Sequence, residues 1–215
     1  MSGILTPLQN SFLNEFFNQS QEFYLTGGTA LSEFYLQHRY SENLDFFTQQ
    51  DEVFQSAEAL VRATCSNLNI ESTPVRISPF FKHFQVGNEN SQLTLYFSRD
   101  FASHLKPPGL FGKVLVDSIE DITANKICAA LGRCEIKDLV DLYFLSKDEY
   151  EIKDYFESAQ QKDAGLSYET LAYSLNQFEI FETPAFMVKP VAVHELKNYL
   201  ESTITWLIEQ SAPSN

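Results

Sequence analysis

Cysteine, histidine, basic charge and long apolar runs are all scarce in this chain of 215 residues. Its three cysteines, Cys65, Cys128 and Cys134, are odd in number, scattered, and form no C-x-x-C pair. Such a set builds neither a disulfide framework nor a zinc site, and a reducing cytoplasm is the default compartment. Its four histidines, His38, His83, His104 and His194, are equally dispersed, which argues against a histidine metal cluster. Only 15 basic residues face 29 acidic ones, for a formal charge of −14. A surface so acidic repels phosphate backbones and offers little counterion release, so strong non-specific nucleic-acid binding is not expected. The ordinary meaning of that acidity is solubility. The N-terminus carries neither a basic leader nor an apolar signal core, and no segment reaches membrane-spanning length. A soluble cytoplasmic protein without a membrane partner is the expectation.

What the chain does have is core material. Hydrophobic residues make up 44% of it and aromatics 14%, with 19 Phe and ten Tyr. That suffices for one sizeable core, or for a main domain with a helical appendage.

Leu8, Phe12, Leu13, Phe16 and Phe17 recur at helical spacing, which predicts an amphipathic helix over 5–19. A short apolar run at 23–25 stops at Gly27-Gly28, and the helical pattern TALSEFYLQH follows at once. Strand, glycine turn, helix is the natural reading. Asn43-Leu44-Asp45-Phe46-Phe47 alternates like a second strand. A helix is predicted over 51–68, then β-like stretches near 75–86 and 92–98, separated by the turn-prone Gly87-Asn88-Glu89-Asn90. From Ser118 the texture changes. Ser118 and Asp121 resemble a capping box, and helical patterns continue through 136–147, 150–162, 167–178 and 192–209. The expected organisation is a mixed α/β domain over 1–117 and a helical domain over 118–215.

Two segments carry chemistry. At Tyr24-Leu25-Thr26-Gly27-Gly28-Thr29-Ala30-Leu31, glycines permit a sharp turn and close approach of a ligand to the backbone. The following helix aims free N–H groups at whatever sits there, which suits a phosphate. On this segment alone, a plain strand-to-helix turn capped by Thr29 is the favoured reading. At His38-Arg39-Tyr40-Ser41-Glu42-Asn43-Leu44-Asp45, positions 43 and 45 point to one face of a strand while Leu44 points to the core. Two carboxylates so placed would hold magnesium against a triphosphate. Here the first of the two is an amide, and an edge strand with two polar side chains remains the alternative.

Taken together, these segments resemble the nucleotidyltransferase superfamily, and closely the AbiEii/AbiGii toxin-like family of bacterial type IV toxin–antitoxin systems. The resemblance rests on Leu25-Thr26-Gly27-Gly28-Thr29-Ala30-Leu31 and on His38-Arg39-Tyr40-Ser41-Glu42-Asn43-Leu44-Asp45-Phe46-Phe47. It extends to the lead-in Leu5-Thr6-Pro7-Leu8-Gln9, to Glu120-Asp121-Ile122-Thr123-Ala124-Asn125-Lys126, and to Lys137-Asp138-Leu139-Val140-Asp141-Leu142-Tyr143. It implies an α+β fold, a nucleotidyltransferase-like mixed sheet flanked by helices and followed by a helical C-terminal part. It implies an NTP as substrate, magnesium as cofactor and a cognate antitoxin as possible partner.

Carried over by position, Gly27, Gly28, Thr29, Arg39 and Ser41 would hold phosphate, and Asn43 and Asp45 would bind metal. Lys126 would touch the nucleotide phosphates, with Asp138 and Asp141 as metal or water ligand, base or brace. Lys126 also lies on or beside an apolar stripe, where a lysine needs a partner. Asp138 and Asp141, three apart on the next helix, could supply it as a structural ion pair. Arg39 either contacts phosphate or offsets a helix dipole.

Two departures from the family pattern bear on catalysis. Asn43 stands where the family usually has Asp, and Leu93-Thr94-Leu95-Tyr96-Phe97-Ser98 offers no third carboxylate. Three functions therefore stand open: a magnesium-dependent nucleotidyltransferase, a non-catalytic relative binding nucleotide or partner, and an interaction module using the aromatic-rich helical C-terminus.

Overall fold

Thr6 begins the ordered architecture by capping helix α1 (Pro7–Gln19). Its hydroxyl accepts from Gln9 N–H, while the Gln9 side chain accepts from Thr6 N–H. The computed structural model describes residues 3–133 and 135–212 and resolves them into two compact units, Met1–Ser118 and Ile119–Asn215. Cys134 lies outside the described residues. Cys65 and Cys128 are free thiols, and burial pushes both up to about 11, so they stay protonated and inert near neutrality.

In the first unit α1 is followed by β1 (Tyr24–Thr26), α2 (Gly27–Ala30), β2 (Asn43–Thr48), α3 (Asp51–Leu68), β3 (Glu71–Ile77), β4 (Phe81–Asn88), β5 (Ser91–Arg99), β6 (Gly109–Phe111) and β7 (Val114–Val116). The strands form one seven-stranded sheet in the order β3-β4-β5-β2-β1-β7-β6. β2 runs antiparallel to β1 and parallel to β5, so the sheet is mixed. Alternation along β2 sends Leu44, Phe46 and Thr48 into the interior and Asn43, Asp45 and Phe47 to the opposite face. The interior face is paved with aromatics. Phe46 stacks on Phe97 of β5 at 4.8 Å, and Phe16 of α1 lies 4.6 Å from Phe46. Phe12, Phe16, Phe46 and Phe97 are all fully buried. Loss of one such ring, as in Phe46→Ala, costs about 3–5 kcal/mol.

The expectation of one β stretch over 75–86 gives way to two strands. The chain reverses at 78–80, where Ser78 N–H and hydroxyl both donate to the Phe81 carbonyl. β3 is an edge strand with a register shift between Pro74 and Arg76, which is where a strand tolerates proline. β6 and β7 carry no signal in the sequence. They are three residues each, too short for a visible period, and exist because β1 offers β7 a parallel partner at Leu25 and Val116. The helix after Gly27-Gly28 widens into a π-helix over Leu31–Leu36 and ends at Gln37, whose φ of 49° is left-handed. Such widened turns are rare and concentrate at functional sites.

The second unit consists of α4 (Ile119–Arg133), α5 (Ile136–Lys147), α6 (Ile152–Lys162), α7 (Tyr168–Leu175) and α8 (Val193–Ser211). α4 is its centre, packed against α5, α6 and α7. No helix among the described residues is long and apolar enough to cross a membrane.

Candidate active site

β1 delivers the chain into the glycine turn, and β2 returns beside it with Thr26 paired to Asp45. Gly27 has a φ of +71°, a conformation a side chain disfavours. A Cβ there would sit 2.7 Å from Asp45 Oδ2, so the carboxylate rests against bare backbone. Gly28 is equally committed. A Cβ on it would run into the Arg39 guanidinium and come within 3.2 Å of Ser41 Oγ. Arg39 is 3% exposed, and its Nη1 donates to the Tyr40 carbonyl at 2.8 Å. Gly27 and Asp45, and Gly28 with Arg39 and Ser41, thus meet around one turn, with Asn43 two residues before Asp45 on the same face of β2.

Thr29 belongs to the same cluster in a different role. Its hydroxyl donates to the Asn43 carbonyl and ties α2 to β2. A second tie comes from Gln9, which is buried and donates from Nε2 to the Ser41 carbonyl at 2.8 Å. Gln9 therefore joins the cap of α1 to the loop that carries Ser41. The lead-in motif signalled its presence but not that function.

Beside Asp45 the sheet supplies little further negative charge. β5 pairs Thr94 with Asn43 and Tyr96 with Asp45, and neither is acidic. On the other flank, Thr26 Oγ1 donates to Asp117 Oδ2 at 2.7 Å. Asp117 follows β7, and its N–H donates to the Leu25 carbonyl. It therefore stands two strands from Asp45, about 10 Å between backbones. His104 Nδ1 lies 3.7 Å from Asp117 Oδ1. Asp117 was not legible near Thr26, because only the pairing of β7 with β1 brings it there, and His104 reaches Asp117 from the irregular segment before β6.

Lys126, Asp138 and Asp141 lie in the second unit and meet there. Lys126 Nζ is 2.9 Å from Asp138 Oδ1 and 2.6 Å from Asp141 Oδ2, with side-chain exposures of 4%, 0% and 0%. Arg133 closes a two-pronged contact on Asp138, from Nε at 2.7 Å and from Nη2 at 2.8 Å. Burial by itself would raise the Asp138 carboxyl. The hydrogen bonds and charges of Arg133 and Lys126 outweigh it and hold the group below its ordinary value. Two cations thus balance two carboxylates. A second buried pair lies nearby, Lys162 Nζ donating to Asp121 Oδ1 at 2.8 Å and to Asn125 Oδ1 at 3.1 Å. The sequence indicated Asp121 as half of a capping box and gave no hint of Lys162.

A mixed sheet with a Gly-Gly turn beside a strand that presents Asn43 and Asp45 on one face defines a nucleotidyltransferase-type fold. The sequence matches the family described as nucleotidyl transferase AbiEii toxin, type IV toxin–antitoxin system, over residues 11–188, and the chain belongs to that family. Among solved structures it is similar to MenT4, a nucleotidyltransferase toxin from Mycobacterium tuberculosis H37Rv. The two are 17% identical with a TM-score of 0.63, covering 95% of this chain and 83% of that one. It is also similar to JHP933 from Helicobacter pylori, at 18% identity and a TM-score of 0.61, covering 94% of this chain and 90% of that one. No curated protein matches the chain.

Proposed function

We propose that this protein is the nucleotidyltransferase toxin of a bacterial cytoplasmic toxin–antitoxin pair, moving a nucleotide from an NTP to an acceptor hydroxyl with magnesium. The observation that carries this reading is the Asp45 carboxylate resting against Gly27 while Arg39 and Ser41 crowd Gly28. Backbone N–H groups at a strand-to-helix turn and the buried guanidinium suit a triphosphate. Asn43 and Asp45 fit magnesium as an amide oxygen and a carboxylate on one strand face, because that ion keeps several waters and shares substrate phosphates. When bound, it would supply charge neutralisation at the transferred phosphoryl group. Gly27 and Gly28 let the phosphates approach the backbone, and Arg39 fixes their orientation. Thr29 and Gln9 hold β2 and the Ser41 loop in register with the turn.

Lys126, Asp138 and Asp141 act in this reading as a brace between α4 and α5. The lysine's charge is already matched by two buried carboxylates.

With Asn43 in place of an acid, and Thr94 and Tyr96 beside β2, the site is short of charge. That favours a second reading, in which nucleotide is bound and transfer is slow or absent. Calorimetric titration with each NTP, with and without magnesium, tests the binding they share. Magnesium-dependent binding should appear, tighten in Asn43→Asp and vanish in Asp45→Asn. An Asn43→Asp variant with unchanged metal affinity would mean these side chains form no metal site. Rapid transfer by the native chain would remove the second reading.

A further inference from the structure

Transfer to a hydroxyl requires a group to take the acceptor's proton, and β5 presents no carboxylate beside Asp45. Strand register supplies a different candidate. Thr26 pairs with Asp45, Asp45 with Tyr96, Tyr96 with His83, and His83 with Arg76, across β1, β2, β5, β4 and β3. Paired residues share a face, so these side chains stand in one row. Their strand neighbours Leu95, Phe97 and Phe84 point the other way into the core. The His83 and Tyr96 rings touch at 4.9 Å, and Phe81 stacks on Tyr96 at 5.7 Å. His83 and Tyr96 are both half-buried, held in place yet open to a ligand.

The direction of attack follows from the same row. Phosphoryl transfer places the attacking and leaving oxygens on opposite sides of phosphorus. The glycine turn lies on the β1 side of Asp45. If that turn holds the leaving pyrophosphate, as the function proposed above requires, the acceptor enters from the β5 side. That side is Tyr96 and His83.

We infer that His83 is the general base of this site and that Tyr96 is its positioning partner and the floor of the acceptor subsite. The acceptor O–H gives its proton to the unprotonated ring nitrogen of His83. Its oxygen bonds to the α-phosphorus, the bond from that phosphorus to the bridging oxygen breaks, and pyrophosphate leaves with the electron pair. Histidine is suited to the task near neutral pH, and it replaces a carboxylate without adding negative charge. The inference rests on the transfer reading and adds the residue that reading lacks.

The experiment uses the full chain, α-³²P-labelled NTPs, magnesium, and total cellular RNA and protein as acceptor pools. It is run at single turnover in the native and Asn43→Asp proteins, with calorimetry of NTP binding alongside. His83→Ala should bind NTP within about twofold of its parent while label transfer falls on the order of 10²–10⁴-fold. Added imidazole should restore transfer at least tenfold, which a merely structural role would not allow. Transfer within threefold of the parent, a matching loss of NTP affinity, or no rescue by imidazole would overturn the assignment. If NTP binds and neither parent transfers label, the base assignment falls together with the transfer step. If NTP does not bind with magnesium, the nucleotide reading itself fails.

Discussion

At the scale of single residues, Gly27 is where backbone and chemistry meet most tightly. Its positive φ and the 2.7 Å approach of Asp45 Oδ2 to a hypothetical Cβ impose two separate penalties on a side chain. Gly27→Ala should lose about 1–2 kcal/mol from the left-handed conformation alone. It should also push the Asp45 carboxylate off its seat and abolish magnesium-dependent NTP binding. Thermal unfolding reads the first effect and calorimetry the second. A variant that melts lower yet binds as the parent does would show that Asp45 need not touch the turn. These residues were legible in the sequence because the motif places Gly27, Gly28, Asn43 and Asp45 close along the chain. His83, Tyr96 and Asp117 were not. Each comes near Asp45 or Thr26 through pairing between strands remote in sequence, and no local pattern encodes that pairing.

Among elements, the joint between α4 and α5 rests on charge as well as packing. Removing one partner of a buried ion cluster leaves another charge uncompensated, at a cost of about 3–5 kcal/mol. Lys126→Ala and Asp138→Asn should each lower stability by that order in urea titrations. Arg133→Ala should cost less, because its side chain is 46% exposed and water screens it. The Asp138 carboxyl sits below its ordinary 3.8, so its contribution is complete above that value and is lost as pH falls through the lowered one. The stability gap between the native chain and Asp138→Asn should therefore hold steady above about pH 5 and narrow below about pH 4. A gap independent of pH would mean that Asp138 is neutral in the fold. The 3.6-residue period showed α4 and α5 and put Lys126 near an apolar stripe. Arg133 was beyond reach because its fork reaches across the loop between two helices. The π-helix over Leu31–Leu36 was equally hidden, since one widened turn leaves the apolar spacing nearly unchanged.

On the scale of the whole molecule, the charge of −14 governs encounters before any site does. Bulk duplex DNA or RNA should bind weakly and with steep salt dependence. Filter binding that gave nanomolar affinity for unspecific duplex at physiological salt would reveal a concealed basic groove. The α+β class was readable from texture, as glycine-punctuated strands gave way to unbroken helical periods at Ser118. The strand order β3-β4-β5-β2-β1-β7-β6 was not, because order is a property of pairing and not of any one segment. That order has a genetic consequence. β5 and β2 run parallel in unbroken register from Asn43 and Thr94 to Thr48 and Arg99. Side chains alternate with a period of two, so deleting one codon inside β5 would invert every side chain on one side of the deletion. Phe97 would turn out of the core, or Tyr96 into it. A deletion in the irregular segment between Arg99 and Gly109 disturbs no such alternation. In a library of single-codon deletions, survivors should gather in that segment and be missing from β2 and β5, whatever residue types are removed.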